Sequence, residues 1–276
     1  MSYLMRVLGE AGRLKERRVV LRFPVLPSEF DGFRICLFSD LHLKKHAPLF
    51  DALRAYLKDN TFDLGCCAGD IQDRSGPKME TSLALARGLF DATRPRFGWY
   101  IVRGNNDRRR FLRRLVAGRP GVTVLDNRSV RLGRSSPPVY LAGVDDPHHL
   151  WHDLDAALAD VPDDAFKILL AHSPEIVHDA ARLGVRLVLC GHTHGGQIRL
   201  PGVGAMFTES RVSRKHSWGL SRKRGTLLFT TCGVGWTMIP LRLKCPPEVV
   251  SITLRRGDAP HVDSSVQSCA GRQGMI

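Results

Sequence analysis

The sequence predicts a layered α/β domain, and three observations carry that prediction. Short apolar runs alternate with amphipathic, helix-spaced segments from Phe33 to Leu254. Five of those runs stop, at their C-terminal ends, on a residue type that holds ligands: Asp40, Asp70, Asn105, His172 and His192. In open α/β sheets, ligands bind just outside those ends. Glycine stands immediately before Asp70, Asn105 and His192, where the chain must turn tightly.

The elements follow in order. Arg34–Ser39 reads as a strand, Leu49–Leu57 as a helix and Phe62–Ala68 as a second strand. Met79–Ala92 has helical spacing, Gly98–Val102 is a third strand, and residues 108–117 form a very basic helix. Short strands are expected at Val122–Leu125, Ser129–Leu132 and Val139–Ala142, then a short helix at Leu154–Ala159. Lys167–Ala171 and Val185–Leu189 are apolar strands running into His172 and the stretch C-G-H-T-H-G-G-Q. Leu227–Thr231 and Val249–Leu254 complete the set, and no internal repeat is present.

The folded domain is expected to span residues 31–255, with a polar, flexible tail over 256–276. Residues 1–30 read as a basic amphipathic segment. Leu4, Val7, Leu8, Ala11 and Leu14 have helical spacing, with Arg6, Arg13, Lys15, Arg17 and Arg18 on the polar side. Such a helix can lie on an anionic membrane or pack on its own domain, and Gly9 and Gly12 weaken it. Lys and Arg total 41 against 27 Asp and Glu, a net charge of +14. That balance favours anionic partners: phosphorylated substrates, an anionic membrane surface or, less so, nucleic acid. Seven scattered cysteines without a C-x-x-C fit a reducing compartment. No apolar run is long enough to span a bilayer, and no signal peptide opens the chain. The expected location is cytoplasmic, peripheral on the inner face of the membrane.

The strand-end residues form a set: Asp40-x-His42, Gly69-Asp70, Gly104-Asn105, His172 and Gly191-His192-x-His194. Oxygen and imidazole ligands without thiolate suit a catalytic site for Mn²⁺, Fe or Zn²⁺. Seven ligands exceed what one open ion needs and suffice for two ions if one carboxylate bridges.

In that order the motifs D-x-H, G-D-x-x-D, G-N-x-D, an isolated His and G-H-x-H resemble the calcineurin-like metallophosphoesterase superfamily. The resemblance implies a four-layer αββα sandwich with two mixed β-sheets flanked by helices. It implies two divalent transition-metal ions, manganese foremost, with iron or zinc as alternatives. Asp40, His42, Asp70 and His194 would hold one ion, and Asp70, Asn105, His172 and His192 the other, with Asp70 bridging. A hydroxide bridging both ions would attack phosphorus in line. Many members read G-N-H-D, whose His contacts the phosphate or protonates the leaving group. This chain has Asn106 there, which donates a hydrogen bond but cannot be a general acid. Asn106 as the catalytic residue therefore points to a good leaving group, as in a phosphoanhydride or diester. The alternative is that it marks slowed or lost activity.

Gly143-Val144-Asp145-Asp146-Pro147, the run from Gly191 to Pro201, Pro240-Leu241-Arg242 and Cys245-Pro246-Pro247-Glu248 carry a finer resemblance. It is to a bacterial branch of membrane-associated phosphoesterases and one type of UDP-2,3-diacylglucosamine pyrophosphatase. A nuclease or cyclic-nucleotide phosphodiesterase is the rival enzyme, and a non-catalytic membrane- or nucleic-acid-binding protein the rival of another class.

Other residues have two readings each. Asp73 either orients a ligand or caps its loop. Among Arg108, Arg109, Arg110, Arg113 and Arg114, one or two can reach substrate, Arg108 and Arg109 first, because only positions three or four apart share a helix face. His148, His149 and His152 read as a substrate lip rather than a further metal site. Arg211, Arg214, Lys215, Arg222, Lys223 and Arg224 around Trp218 are expected to face substrate.

Overall fold

The strand β2 (Arg34–Phe38) sets the architecture. Ile35 and Leu37 point to one side and Cys36 and Phe38 to the other, and all four are buried. A strand buried on both faces needs a packed layer on each. The computed structural model describes residues 12–43, 47–73, 75–208, 210–211, 216–257 and 263–269. Within them, one sheet has the order β15 (Asp263–Ser268), β1 (Lys15–Phe23), β14 (Glu248–Arg256), β2, β3 (Leu64–Cys67), β4 (Trp99–Ile101), β5 (Val122–Val124). The other runs β12 (Gly219–Lys223), β13 (Thr226–Thr230), β9 (Leu187–Cys190), β8 (Phe166–Leu170), β7 (Val139–Gly143), β6 (Arg128–Leu132). Strands β2 to β5 are parallel, as are β7, β8, β9 and β13, whereas β14 meets β2 antiparallel.

Two facing apolar surfaces form the inner core: Leu21, Ile35, Leu37, Cys66 and Ile252 against Leu141, Ile168, Leu170, Leu189 and Phe229. Helices α1 (Ala47–Asp59), α2 (Met79–Phe90) and α3 (Arg109–Val116) cover the first sheet, with Leu53, Leu57, Leu83, Phe90 and Phe111 packed on Phe38 and Trp99. Leu49, Leu53 and Leu57 recur every fourth residue, so one stripe of α1 faces inward. Helices α4 (Leu154–Leu158) and α5 (Val177–Arg182) cover the second sheet at Leu169 and Val188. The layers are helix, sheet, sheet, helix, the expected αββα sandwich. No described helix is long and apolar enough to cross a membrane. All seven cysteines are free thiols, and six are buried.

Both ends of the chain differ from expectation. Residues 1–11 of the amphipathic segment lie outside the described residues. Lys15, Arg17 and Arg18, assigned to a helix's polar side, instead sit on β1, which pairs in parallel with β14 from Lys15↔Glu248 to Phe23↔Arg256. The charges misled because tertiary partners satisfy them. Buried Glu16 accepts from Tyr56 Oη at 2.9 Å and pairs with Arg18 at 2.9 Å. Arg17 pairs with Glu248 at 2.8 Å. The polar tail expected over 256–276 contributes β15, antiparallel to β1.

Trp99 packs flat on the backbone of Gly65, where a Cβ would lie 2.1 Å from the indole. Gly65→Ala should therefore destabilise by about 1–3 kcal/mol. Gly88, inside α2, has open space at the Cβ position. Gly88→Ala should stabilise by about 0.5–1 kcal/mol. Urea denaturation of the two variants should show these opposite signs; equal effects would contradict the packing described.

Candidate metal centre

Strand ends from both sheets deliver the site. β2 leads into Asp40 and His42, β3 into Asp70, β4 into Asn105, β8 into His172, and β9 into His192 and His194. Five of these seven have left-handed backbone: Asp40 (φ +52°), His42 (+42°), Asp70 (+52°), His192 (+69°) and His194 (+48°). Each such conformation costs about 1–3 kcal/mol in a non-glycine residue. Hydrogen bonds between the loops hold it: Asp40 N–H donates to Gly69 O at 2.9 Å, His42 N–H to Asp70 O at 3.0 Å, and Gly191 N–H to His172 O at 2.9 Å. The two motif glycines permit the approach. A Cβ on Gly104 would fall 2.2 Å from Asp70 Oδ1, and one on Gly191 2.2 Å from Ser39 Oγ.

The predicted ligands converge. His42 Nε2 lies 3.1 Å from His194 Nε2, and His192 Nδ1 3.1 Å from His172 Nε2. Asp70 Oδ2 sits between the two pairs, 3.5 Å from His42 Nε2 and 3.7 Å from His172 Nε2, the place expected of a bridging carboxylate. By distance, two groups can each hold an ion, Asp40–His42–His194 and Asp40–Asp70–His172, so Asp40, rather than Asp70, is the residue these two groups share. Asn105 Oδ1 lies 2.9 Å from His172 Nε2. His172 donates Nδ1–H to Ala68 O at 2.7 Å, which turns Nε2 toward the centre.

These residues fit a metal pair. Asp40 Oδ2 accepts from Ser39 Oγ and from His192 N–H at 3.0 Å, whereas the buried Oδ1 has no hydrogen-bond partner. A buried carboxylate oxygen facing imidazole nitrogens is costly unless a cation completes it. Burial raises the Asp40 carboxyl above the ordinary range, despite His172 nearby. Burial opposes charge on Asp70 too, but His172, His42 and two hydrogen bonds from Asn106 outweigh it and hold this carboxyl low. Burial likewise disfavours charged His172, yet Asp70 and Asp40 push it up to about 9. Burial, then the neighbouring His172, pulls His192 down to about 4. His194 is also low, from burial with His42 and Arg242 beside it.

The flanking expectations divide. Asn106 turns onto Asp70 rather than outward, donating N–H to Oδ1 and Nδ2–H to Oδ2, both at 2.7 Å. It thus positions a ligand. Arg109 is exposed but already paired, its guanidinium held by Asp126 at 2.6 Å and Asp145 at 2.5 Å. Arg108 is exposed at the start of α3. Arg114 pairs with Glu80. Asp73 does both things asked of it, lying 3.4 Å from His42 Nδ1 and accepting from Ser75 N–H at 2.8 Å. Trp218 is no open platform, since Arg17 and Arg199 stack over it and its Nε1–H donates to Glu248 at 3.0 Å. Arg214 and Lys215 lie outside the described residues.

The fold shows what three residues outside the candidate ligand set contact. His148 packs against His192 at 4.8 Å between ring centroids, tilted by 43°, with Nδ1 3.2 Å from Glu175. Asp145, from the Gly143–Pro147 motif, also binds Arg103 at 2.6 Å. Buried Arg242 donates to the carbonyls of Cys232, Gly235 and Cys245, with Nη2 3.5 Å from His194 Nδ1. The two conspicuous short motifs carrying Asp145 and Arg242 were the available signal.

Metal loading must displace a proton from His172 at any pH below about 9. Its apparent affinity should therefore rise with pH, by about tenfold per unit for each proton released, and level off above pH 9. Calorimetric Mn²⁺ titration in buffers of different ionisation enthalpy measures the release; a pH-independent affinity would contradict it. Asn106→Ala should weaken Mn²⁺ binding, and Asn106→Asp should weaken it more by facing a carboxylate at Asp70. Asp70→Ala should abolish tight binding.

A family model for the calcineurin-like phosphoesterase matches residues 33–196. The chain is 30% identical over 242 residues to the metallophosphoesterase YkuE of Bacillus subtilis (strain 168), covering 85% of this chain and 83% of that protein. It is 29% identical over 234 residues to the phosphodiesterase YaeI of Escherichia coli (strain K12), covering 80% and 82%. Among solved structures, TT1561 of Thermus thermophilus aligns with a TM-score of 0.47 at 16% identity, over 74% of this chain and 90% of that one. Matched across the segment that carries all seven candidate ligand residues, this chain belongs to the calcineurin-like phosphoesterase family.

Proposed function

We propose that the protein hydrolyses a phosphodiester or phosphoanhydride bond in an anionic, lipid-linked substrate at the inner face of a membrane, with UDP-2,3-diacylglucosamine the leading candidate. The observation that carries this reading is the contrast between two clefts beside the centre. One, of 200 Å³, is walled by Ile198, Met206, Phe207, Met238 and Ile239 and reaches His194. The other, of 460 Å³, sets Glu175, Asp179, Arg211 and Lys223 among Pro147, Leu150 and Ile176, and its Glu175 is bonded to the His148 that packs against His192. An amphiphile with an apolar tail, a central phosphate and a polar head matches that order.

Two divalent ions, when held by Asp40, His42, Asp70, Asn105, His172, His192 and His194, would supply Lewis acidity toward phosphoryl oxygens. The chain's own residues set the rest. Asp40 and Asp70 bring fixed negative charge, and the imidazoles His192 and His194 are neutral and ready to ligate. Asn106 fixes both oxygens of Asp70. Since its amide cannot donate a proton to a leaving oxygen, a leaving group of low basicity suits the site. The net charge of +14 draws anions toward it. Against the nuclease alternative, the aromatic among the basic residues, Trp218, is occupied between Arg17 and Arg199. Against a purely binding role, seven converging ligand-type residues, five of them with strained backbone, are a costly arrangement with no use in the absence of metal.

A Mn²⁺ panel of UDP-2,3-diacylglucosamine, a phospholipid, bis-p-nitrophenyl phosphate, a cyclic nucleotide and single-stranded DNA tests the reading. The lipid-linked pyrophosphate should have the highest kcat/KM. Preference for DNA at low salt would overturn the substrate class, and no turnover of any would overturn the enzymatic role.

A further inference from the structure

We propose that the apolar loop tips beside the metal-ligand loop dock the protein onto an anionic lipid bilayer. The hairpin β10 (Arg199–Leu200) to β11 (Gly204–Ala205) lies against the loop 236–244, and Gln197, three residues after His194, ties the two together. Its side-chain amide donates to the carbonyls of Thr237 and Ile239, both at 3.2 Å, and its Oε1 accepts from Thr237 N–H at 3.0 Å. Leu243 N–H donates to Gln197 O, and Arg199 N–H to Leu243 O, both at 3.0 Å. The tips are therefore fixed relative to the metal ligands.

From this frame Val203, Met206, Phe207, Met238 and Ile239 face solvent, Phe207 at 68% exposure and Met238 at 85%. Met238 has φ +56°, a conformation costly for a long side chain, and it turns that methionine outward. A cluster of large exposed apolar residues on neighbouring loops marks an interaction surface.

Charge and access choose the occupant. Lys244 is exposed and Arg199 partly so, on segments 198–208 and 236–244 that hold no Asp or Glu, and the chain's net charge is +14. Apolar tips with basic flanks suit the headgroup boundary of an anionic bilayer. The cleft between the tips has Thr193 and His194 in its wall. A protein or a second copy seated on the tips would cover that cleft, whereas a bilayer presents its own phosphate esters to it. Docking thus deepens the lipid-linked reading, but its test needs neither substrate nor turnover.

The full-length chain and the neutral double variant Phe207→Ser/Met238→Ser are sedimented with vesicles of phosphatidylglycerol and phosphatidylcholine in equal parts. The wild type should pellet with the vesicles, less so as salt is added. The double variant should bind about tenfold more weakly or worse, with an unchanged melting temperature because both side chains are exposed. Wild type remaining in the supernatant, or a variant that pellets equally, would overturn the proposal. So would light scattering that shows a wild-type dimer dissolved by the double variant, which would assign the surface to self-association. Vesicle binding without turnover of lipid-linked substrates would leave docking standing and remove the substrate reading.

Discussion

The hydrogen bond from His192 N–H to Asp40 Oδ2 is the constraint on which the site depends. Asp40 follows β2 of one sheet and His192 follows β9 of the other. A fully buried carboxylate must be paired, and pairing it across the two sheets fixes how their strand ends meet. Everything nearby serves that approach. Ser39 holds the same oxygen, Gly191 leaves room for both, and Gly235 N–H donates to Asp40 O at 2.7 Å from the far side. With Oδ2 committed to the fold, Oδ1 is left pointing at imidazoles.

That division separates structure from chemistry within one side chain. It also implies that the centre should be destabilising without metal. Two carboxylates and four imidazoles are gathered out of water, and five backbones are held in a left-handed conformation. A cation relieves the charge repulsion and completes the orphan oxygen, so metal binding and fold stability are linked. The same linkage makes proton and metal competitors at His172, the imidazole nearest both carboxylates in electrostatic effect.

The residue at 106 gains a different meaning from its neighbours. A histidine there would project chemistry outward, whereas Asn106 commits both donors to Asp70. Substrate selectivity would then fall to the walls: an apolar cleft on the His194 side and one carrying charged groups beyond His148. The apolar wall continues into the exposed tips at Phe207 and Met238, so recognition of the tail and attachment to its membrane would share one surface.

Most of the inner strands and the seven residues that converge at the site were legible in the sequence, because strand periodicity and a polar residue at a strand end are both local patterns. Ile35-Cys36-Leu37-Phe38 followed by Ser39-Asp40 announces a buried strand and its ligand within six residues. β1 was not legible. Lys15-Glu16-Arg17-Arg18 reads as a polar surface until Tyr56 and Glu248, distant in the chain, satisfy it. Arg109 looked free for phosphate for the same reason, since Asp126 and Asp145 meet it only in space. The sequence by itself determined which residue types stand at the ends of which strands, and hence the candidate metal site and the family. Only the tertiary structure decided which charges already neutralise one another and which faces stay open. Pairing between remote side chains depends on distances that a linear pattern does not contain.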